Sequence, residues 1–256
     1  MVLCVFFSKS AGNQSLVQPT KTSEPMVKVA QFNLSAVNGG YNELIEKVIR
    51  ADADVVSLQE VPIMIQQILE DTLHAVYPHP CRLASPDFRG ILLLSKYKFI
   101  SCDTIKSGNM SNLSVSIRTK NSGRKLFIIS TYLEPPLGAS GYKAFRRQLD
   151  TVGNYTKMLG EPYITVGDFN IEGYSFELQQ FRRNTALLDS RRGFQPMLED
   201  GTFSFKETPT DHIFYTPHFQ CVDFHIISDS SKSHLGIMGT YQFQIDSIKN
   251  NVPKKN

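Results

Sequence analysis

The chain has few cysteines, and none of them is paired at the spacing of a metal-binding cluster. The four cysteines are Cys4, Cys81, Cys102 and Cys221, and no CxxC motif occurs. This pattern gives no support to a zinc cluster. The count leaves a disulfide open, but free, partly buried thiols are the simpler interpretation, and we expect them.

A strong net charge is also lacking. The formal charge of the 256 residues is +3 at pH 7, which is too small to argue for nucleic-acid binding by itself. Hydrophobic residues make up 41% of the chain, which is ordinary for a globular protein and sufficient for a large core. A single α/β domain can reach this length.

The apolar run at the N-terminus, Met1–Phe7, is far too short to span a bilayer. It also lacks the basic start, longer apolar core and cleavage site of a secretory signal. We interpret it as a frayed tail, and the alternative is the end of a membrane segment that begins upstream. As given, the sequence is expected to be soluble, with the cytoplasm the favoured compartment. A membrane-tethered form is expected only if sequence upstream of Met1 is missing.

The two ends of the chain differ in composition from the part between them. Residues 8–25 are rich in Ser, Thr, Gln, Lys and Pro and have almost no apolar periodicity, so we expect residues 1–25 to be a disordered tail or linker. One domain is expected over residues 26–246, followed by a loose tail over residues 247–256. No internal repeat is visible in the sequence.

Between the tails, short apolar runs alternate with helical patterns. The predicted strands are Val27–Leu34, Asp54–Leu58, Ile91–Leu94, Leu126–Ser130, Tyr163–Val166, Ile213–Tyr215 and Gly236–Phe243. The predicted helices are Tyr41–Arg50, a helix with Pro62 in its first turn, and Ala144–Leu159. Several strands are apolar on both faces and must therefore be covered on both sides. The mixed order of elements predicts a two-sheet α/β sandwich.

Polar residues recur where these predicted strands begin or end. They are Asn33, Gln59, Glu60, Tyr132, Asp168, Asn170, Asp211, His212 and His234. A rigid strand can aim such side chains while the adjoining loop leaves space for a substrate. Each residue alone is more often a turn former, a surface group or a packing residue. Their value as a signal lies in their joint occurrence at successive strand ends.

Together these groups have the chemistry for phosphoester hydrolysis. Glu60 and Asp168 are hard oxygen donors which, with Asn33 and Asn170, suit Mg²⁺ or Mn²⁺. A bound Mg²⁺ could polarise a phosphoryl oxygen. His234 could donate a hydrogen bond or a proton to the phosphate, and Asp211 could hold the imidazole in the required tautomer. No covalent nucleophile is evident.

At this point the motifs resemble the endonuclease/exonuclease/phosphatase superfamily, which includes deoxyribonuclease I, and within it a bacterial branch of uncharacterised members. The resemblance covers residues 27–244. Its motifs are QFN at Gln31–Asn33, SLQEV at Ser57–Val61, GILLLSKY at Gly90–Tyr97, STYLEPP at Ser130–Pro136, GDFN at Gly167–Asn170, TDHIF at Thr210–Phe214 and KSHLGI at Lys232–Ile237. LQEV and GDFN are the more specific ones in this order and spacing.

The resemblance implies a four-layer α/β sandwich with two mixed sheets flanked by helices, and a catalytic role for residues 26–246. It implies these roles for the site: Glu60 as the principal metal ligand with Asn33 nearby; Asp168 orienting or deprotonating the attacking water; Asn170 contacting the phosphate; and His234 stabilising the phosphate, with Asp211 as its partner.

Two positions depart from the pattern of the family. Tyr132 stands where many members have His, although a phenol can still hydrogen-bond a phosphate or a leaving group. Ser233 stands where the family usually has an Asp directly before its His, here His234. Because serine supplies no negative charge, we expect weaker metal binding or a metal held mainly through Glu60.

Three functions remain open from the sequence. The first is a Mg²⁺- or Mn²⁺-dependent, nuclease-type phosphodiesterase, with DNA and RNA among its candidate substrates. The second is a phosphatase acting on a small or lipid phosphate ester, and the third is a catalytically weakened phosphate-binding module. Arg146 and Arg147 could meet a substrate phosphate, but a solvated helix face is the simpler interpretation. No protein partner is implied, and a monomer is expected.

Overall fold

The structure is a computed structural model that describes residues 26–34, 40–85, 89–119, 123–192, 210–228 and 234–244. The expected tails, residues 1–25 and 247–256, lie outside the described residues. Among the described residues, no helix combines the length and the apolar character that a membrane span requires.

The described residues form twelve strands and four helices. In chain order these are β1 (Met26–Asn33), α1 (Tyr41–Ala51), β2 (Val55–Gln59), α2 (Ile63–Leu73), β3 (His79–Leu83), β4 (Ile91–Ser95), β5 (Ser101–Ser107), β6 (Met110–Arg118), β7 (Lys125–Ser130), α3 (Gly138–Met158), β8 (Tyr163–Asp168), α4 (Phe176–Thr185), β9 (Leu188–Asp189), β10 (Asp211–Tyr215), β11 (Phe219–Ser228) and β12 (His234–Phe243).

The strands form two six-stranded sheets with the same internal arrangement. The first sheet has the order β11-β12-β1-β2-β4-β3 and the second has the order β5-β6-β7-β8-β10-β9. Each has a parallel pair at its centre, β1 with β2 and β7 with β8, and a helix follows the first strand of each pair. The remaining pairs that flank these centres are antiparallel. The two sheets therefore share a topology, although no repeat is visible in the sequence.

Three apolar clusters separate four layers and confirm the expected sandwich. The central cluster lies between the two sheets and includes Val29 of β1 and Val166 of β8. A second cluster packs the first sheet against α1 and α2, with Phe32 among its members. A third packs the second sheet against α3 and α4, with Phe214 among its members. Both faces of the central strands are therefore covered, as their apolar sequences predicted.

The inner face of each central strand changes from apolar to polar along its length. On β1, Val27 and Val29 are followed on the same face by Gln31. On β2, Val55 is followed on the same face by Gln59 at the end of the strand. All five side chains are fully buried. Parallel strands end at the same edge of a sheet, so this change collects buried polar groups at one end of the sandwich.

Several predicted boundaries were wrong. Helix α3 begins at Gly138 rather than Ala144, Asp211 and His212 lie inside β10 rather than before it, and His234 is the first residue of β12. No element was predicted at β3, β5, β6, β9, β11 or α4. Strand β5 shows why, since four of its seven residues are exposed and its sequence, SCDTIKS, has no apolar run.

The expectation of free thiols was wrong for two cysteines. Cys81 and Cys102 form a disulfide with a Cα–Cα distance of 6.2 Å. The bond joins β3 to β5, which are edge strands of different sheets. Cys221 is a free, half-buried thiol, and Cys4 lies outside the described residues.

Candidate active site

Side chains from both sheets meet where the central strands end. Gln59 of β2 accepts a hydrogen bond at Oε1 from the Asp168 main-chain N–H of β8 (2.8 Å), and its Nε2 donates to the main-chain oxygen of Thr131 (2.8 Å). Gln31 of β1 donates through Nε2 to Oδ1 of Asp211 in β10 (3.3 Å). These bonds cross the interface between the sheets and fix the polar strand ends of one sheet against those of the other.

Glu60 follows β2 directly and is held by Asn33 at the end of β1. Asn33 Nδ2 donates to Glu60 Oε1 over 2.7 Å. The backbone of Glu60 is in the left-handed region (φ 56°), which is uncommon for a residue with a long side chain. Strain of this kind is concentrated at functional sites. The strand pairing and the amide together aim a half-buried carboxylate out of the strand end.

Asp168 and Asn170 form a tight turn after β8. The Asn170 main-chain N–H donates to Asp168 Oδ1 (2.8 Å), and Asn170 Nδ2 donates to the main-chain oxygen of Leu133 (2.7 Å). Asn170 is also left-handed (φ 54°), a conformation that asparagine tolerates. The GDFN motif needs its glycine because a Cβ at Gly167 would lie 1.9 Å from the main-chain oxygen of Thr131.

Burial and neighbouring carboxylates make Asp168 an unusual acid. Asp168 is 7% exposed, and it lies directly opposite Asp211 in the antiparallel pair of β8 and β10. Loss of solvation, the carboxylate of Asp211 and that of Glu60 raise the pKa of Asp168 to about 7. Hydrogen bonds from Asn170 and Thr210 oppose this rise only in part. The carboxylates of Asp211 and Glu60 therefore both lie close enough to Asp168 to disfavour its charged form.

His234 binds the carboxylate of Asp211. The two atoms His234 Nε2 and Asp211 Oδ2 are 2.5 Å apart, and the carboxylate can only accept, so Nε2–H is the donor. The remaining nitrogen, Nδ1, is left for another partner. The side chain of His234 is 19% exposed and that of Asp211 is 5% exposed, so the imidazole lies at the boundary between interior and solvent.

Tyr132 is placed beside this group by its main chain. Its N–H donates to Asn112 Oδ1 (2.8 Å), while the next residue, Leu133, donates its N–H to the main-chain oxygen of Asp168 (3.0 Å). Tyr132 itself is half-buried. The seven residues predicted from the sequence to be catalytic or metal-binding therefore form one connected region.

The donors at this end of the sandwich fit a hard divalent cation. Within the described residues the Glu60 carboxylate accepts one hydrogen bond, from Asn33, which leaves lone pairs for a metal ion. The described residues contain no group of three or more His, Cys, Asp or Glu side chains arranged to enclose a metal ion. Mg²⁺ does not require such a cage, since it keeps several waters and takes one or two carboxylates.

Other predicted features lie outside the site. Arg146 donates to Gln180 of α4 over 3.4 Å, and the guanidinium of Arg147 packs against Gly108 in the turn between β5 and β6. Both lie within α3 and not at its start. A pocket between α3 and α4 contains none of the candidate site residues. Ser233, whose identity departs from the family pattern, lies outside the described residues.

The sequence identified Gln31 and Gln59 within motifs but not as bridges between the sheets. Each is a polar amide residue at a position where the alternation of the strand turns the side chain inward. That combination is the signal that could have identified them. Arg191 and Asn112 were missed altogether. Arg191 donates to the Asp211 main-chain oxygen (2.5 Å), and nothing in its local sequence, DSRRG, indicates that contact.

Comparison with known proteins gives the same assignment. A sequence model of the endonuclease/exonuclease/phosphatase family matches residues 30–231. A search of curated proteins finds no match.

Three solved structures illustrate how widely the fold is used. An endonuclease/exonuclease/phosphatase from Beutenbergia cavernae has a TM-score of 0.66 at 22% identity, with 85% of this chain and 72% of that chain covered. Sphingomyelinase C from Streptomyces griseocarneus gives 0.62 at 14%, covering 86% and 100%. A mannosyl-6-phosphatase from Bacteroides thetaiotaomicron gives 0.61 at 15%, covering 86% and 100%. The sequence match and the four-layer fold agree, and the chain belongs to the endonuclease/exonuclease/phosphatase family.

Proposed function

We propose that this protein is a divalent-metal-dependent phosphodiesterase of the nuclease type that uses an activated water. The observation that carries the proposal is the position of Asp168. It is buried, opposed by two carboxylates and has a pKa raised to about 7. A general base works best with a pKa near the working pH.

In the proposed reaction, Asp168 accepts a proton from the attacking water as the water oxygen bonds to phosphorus. The bond from phosphorus to the leaving oxygen breaks, and that oxygen takes a proton from solvent, or from Nδ1 of His234 when the ring enters the reaction as an imidazolium. Asn170 and the phenol of Tyr132 bind phosphoryl oxygens. Asp211 keeps His234 in the orientation in which its Nδ1 side faces the phosphate. No covalent intermediate with the protein is formed.

Glu60 and Asn33 are the residues that would hold the metal ion. Bound there, Mg²⁺ or Mn²⁺ would neutralise charge that develops on the phosphoryl oxygens. The short contact between Asn33 and Glu60 orients the carboxylate before the metal arrives.

Exposed aromatic side chains support the nuclease version. Leu137 and Tyr142 lie after β7, and Tyr174 and Phe176 lie after β8, so the two segments that leave the site carry four exposed large apolar residues. Exposed Lys143 accompanies Tyr142 on α3. Stacking platforms beside basic groups are what single-stranded nucleic acids bind without sequence preference.

A substrate panel tests this choice. Single-stranded DNA, duplex DNA, RNA, sphingomyelin and simple phosphate mono- and diesters are assayed with Mg²⁺, with Mn²⁺ and with chelator. We expect turnover of nucleic acid to exceed that of monoesters and to fall in the double variant Tyr174→Ala/Phe176→Ala. Preferential release of inorganic phosphate from monoesters would identify a phosphatase instead. Binding without turnover would identify a phosphate-binding module.

A further inference from the structure

Arg191 and His212 form a buried pair directly behind Asp211. Arg191 Nη1 donates to the Asp211 main-chain oxygen and lies 3.0 Å from His212 Nδ1. His212 is 1% exposed. Arg191 is half-buried along its length, but its guanidinium end is enclosed, and its Nη2 is inaccessible to solvent.

The contacts fix which nitrogen of His212 carries the proton. A guanidinium has donors only, so His212 Nδ1 must accept from Arg191. His212 Nε2 lies 2.9 Å from the main-chain oxygen of Ile171, and that oxygen can only accept. The proton is therefore on Nε2. Burial and the charge of Arg191 also hold the pKa of His212 well below its ordinary value, so the ring stays neutral.

Ile171 is the residue after Asn170, and the chain then wraps around the imidazole. A Cβ at Gly173 would lie only 3.1 Å from His212 Cε1, so the loop contacts the ring closely. On its other sides the ring stacks on Phe214 (5.2 Å between centroids) and meets the edge of Phe169 (5.7 Å). The loop that carries Asn170 is thus tied to strand β10 through one side chain.

The buried pair of Arg191 and His212 would be an unfavourable choice if it served only to pack the core. Arg191 Nη2 has no hydrogen-bond partner among the described residues, and its guanidinium lies over the ring of Phe224 (5.3 Å). Replacing buried charged groups by apolar side chains of similar volume is often neutral or stabilising. Arg191 Nη1 instead reaches two acceptors at once, the main-chain oxygen of Asp211 and Nδ1 of His212, whose ring contacts the loop that carries Asn170.

We propose that Arg191 and His212 are positioning residues that set the distance between Asp211 on β10 and Asn170 on the loop after β8. Neither side chain touches the substrate. Arg191 fixes the Asp211 main chain and the tautomer of His212, and His212 in that tautomer fixes Ile171. As a claim about turnover the inference rests on the proposed function, but its geometry can be tested separately.

The variants separate positioning from packing. His212→Phe keeps the stack on Phe214 and removes both hydrogen bonds, whereas His212→Gln can still offer one acceptor and one donor. Arg191→Met removes the guanidinium but keeps a side chain of similar volume. Arg192→Met is the matched control, because Arg192 is the next residue and is exposed. We expect His212→Phe and Arg191→Met to lower kcat by about 10- to 100-fold with little change in KM. His212→Gln should recover part of that loss, and the double variant should be no slower than either single one.

Nuclear magnetic resonance gives a readout that needs no substrate. At neutral pH the imidazole nitrogens of His212 should report the Nε2–H tautomer in the wild type. In Arg191→Met, but not in Arg192→Met, the main-chain amide signals of Asn170 and Ile171 should shift. An Nδ1–H tautomer, or unmoved amide signals, would overturn the proposal. A lower Tm with unchanged kcat would do the same. If no variant or wild type turns over any substrate, the proposed function fails while the amide shifts still decide this inference.

Discussion

The main-chain N–H of Asp168 donates to the side chain of Gln59, 109 positions earlier in the chain, over 2.8 Å. The same amide of Gln59 donates to the Thr131 main-chain oxygen and lies 3.3 Å from Ser130 Oγ. One buried glutamine of the first sheet therefore joins the ends of both parallel strands of the second. The proposed base is held by a contact between sheets and not only by its own turn.

Replacing Gln59 by Leu should cost stability and activity together. The change leaves the Asp168 N–H and the Thr131 oxygen without partners in a buried place, and each unsatisfied group costs about 1–3 kcal/mol. We expect the free energy of unfolding to fall by about 2–4 kcal/mol. Urea unfolding measures this, with Gln67→Leu on the exposed face of α2 as the control. An unfolding midpoint equal to that of the control would refute the bridging role.

Replacing Asp168 by Asn should abolish activity yet stabilise the protein at alkaline pH. The pKa of Asp168 is about 7 in the folded state, whereas its ordinary value, which applies to the unfolded chain, is 3.8. Between these two pH values the folded state therefore binds more protons than the unfolded state. Unfolding free energy therefore falls as the pH rises through that window. Asn carries no charge to bury, and the gain at pH 8 is on the order of 1–4 kcal/mol.

Urea unfolding of both proteins at pH 5 and pH 8, with chelator present, tests the sign. The advantage of Asp168→Asn should be larger at pH 8 than at pH 5. An advantage that is equal at the two values would show that Asp168 is not held in a destabilised charged state.

Replacing His234 by Ala should slow the reaction far more than it weakens metal binding. The imidazole is bound to Asp211 and, in the proposed reaction, faces the phosphate. Loss of a general acid or phosphate donor typically lowers kcat by about 10²- to 10⁴-fold. Turnover and Mn²⁺ affinity are measured side by side, with exposed His218→Ala as the control. Loss of Mn²⁺ affinity with little further effect on kcat would make His234 a metal ligand instead.

Reduction of the Cys81–Cys102 bond should lower stability without changing the chemistry. The bond closes a segment with a sequence separation of 21 and links the edges of two sheets, so it should contribute about 3 kcal/mol. The Tm of oxidised and reduced protein is compared, with Cys221→Ser to remove exchange with the free thiol. An identical Tm before and after reduction would contradict a stabilising role.

The central strands were predictable because their burial on both faces leaves a signal in every residue. Val55–Gln59 and Tyr163–Asp168 are buried throughout, and both were identified to within two residues. Edge strands such as β5 carry no such signal, since their exposed residues are free to be polar. The Cys81–Cys102 bond was not predictable either, because the two strands that it joins meet only after the sheets have stacked.

The candidate site was partly predictable for a related reason. Groups that need a fixed backbone, such as Glu60 and Asp168, lie at strand ends that the apolar pattern reveals. Arg191 and His212 act through main-chain oxygens, and any sequence supplies those oxygens. Their partners appear only in three dimensions, so His212 was found among the polar residues at strand ends without its contacts, and Arg191 was not found at all.

The most direct test of the central claim is metal-dependent turnover in wild type and in Glu60→Gln, measured on the best nucleic-acid substrate of the panel. The wild type should lose activity in chelator and regain it with Mg²⁺ or Mn²⁺. Glu60→Gln, which keeps the contact with Asn33 but loses the charge, should need far more metal or remain inactive. Wild-type turnover in chelator, or an unchanged metal requirement in Glu60→Gln, would contradict the account.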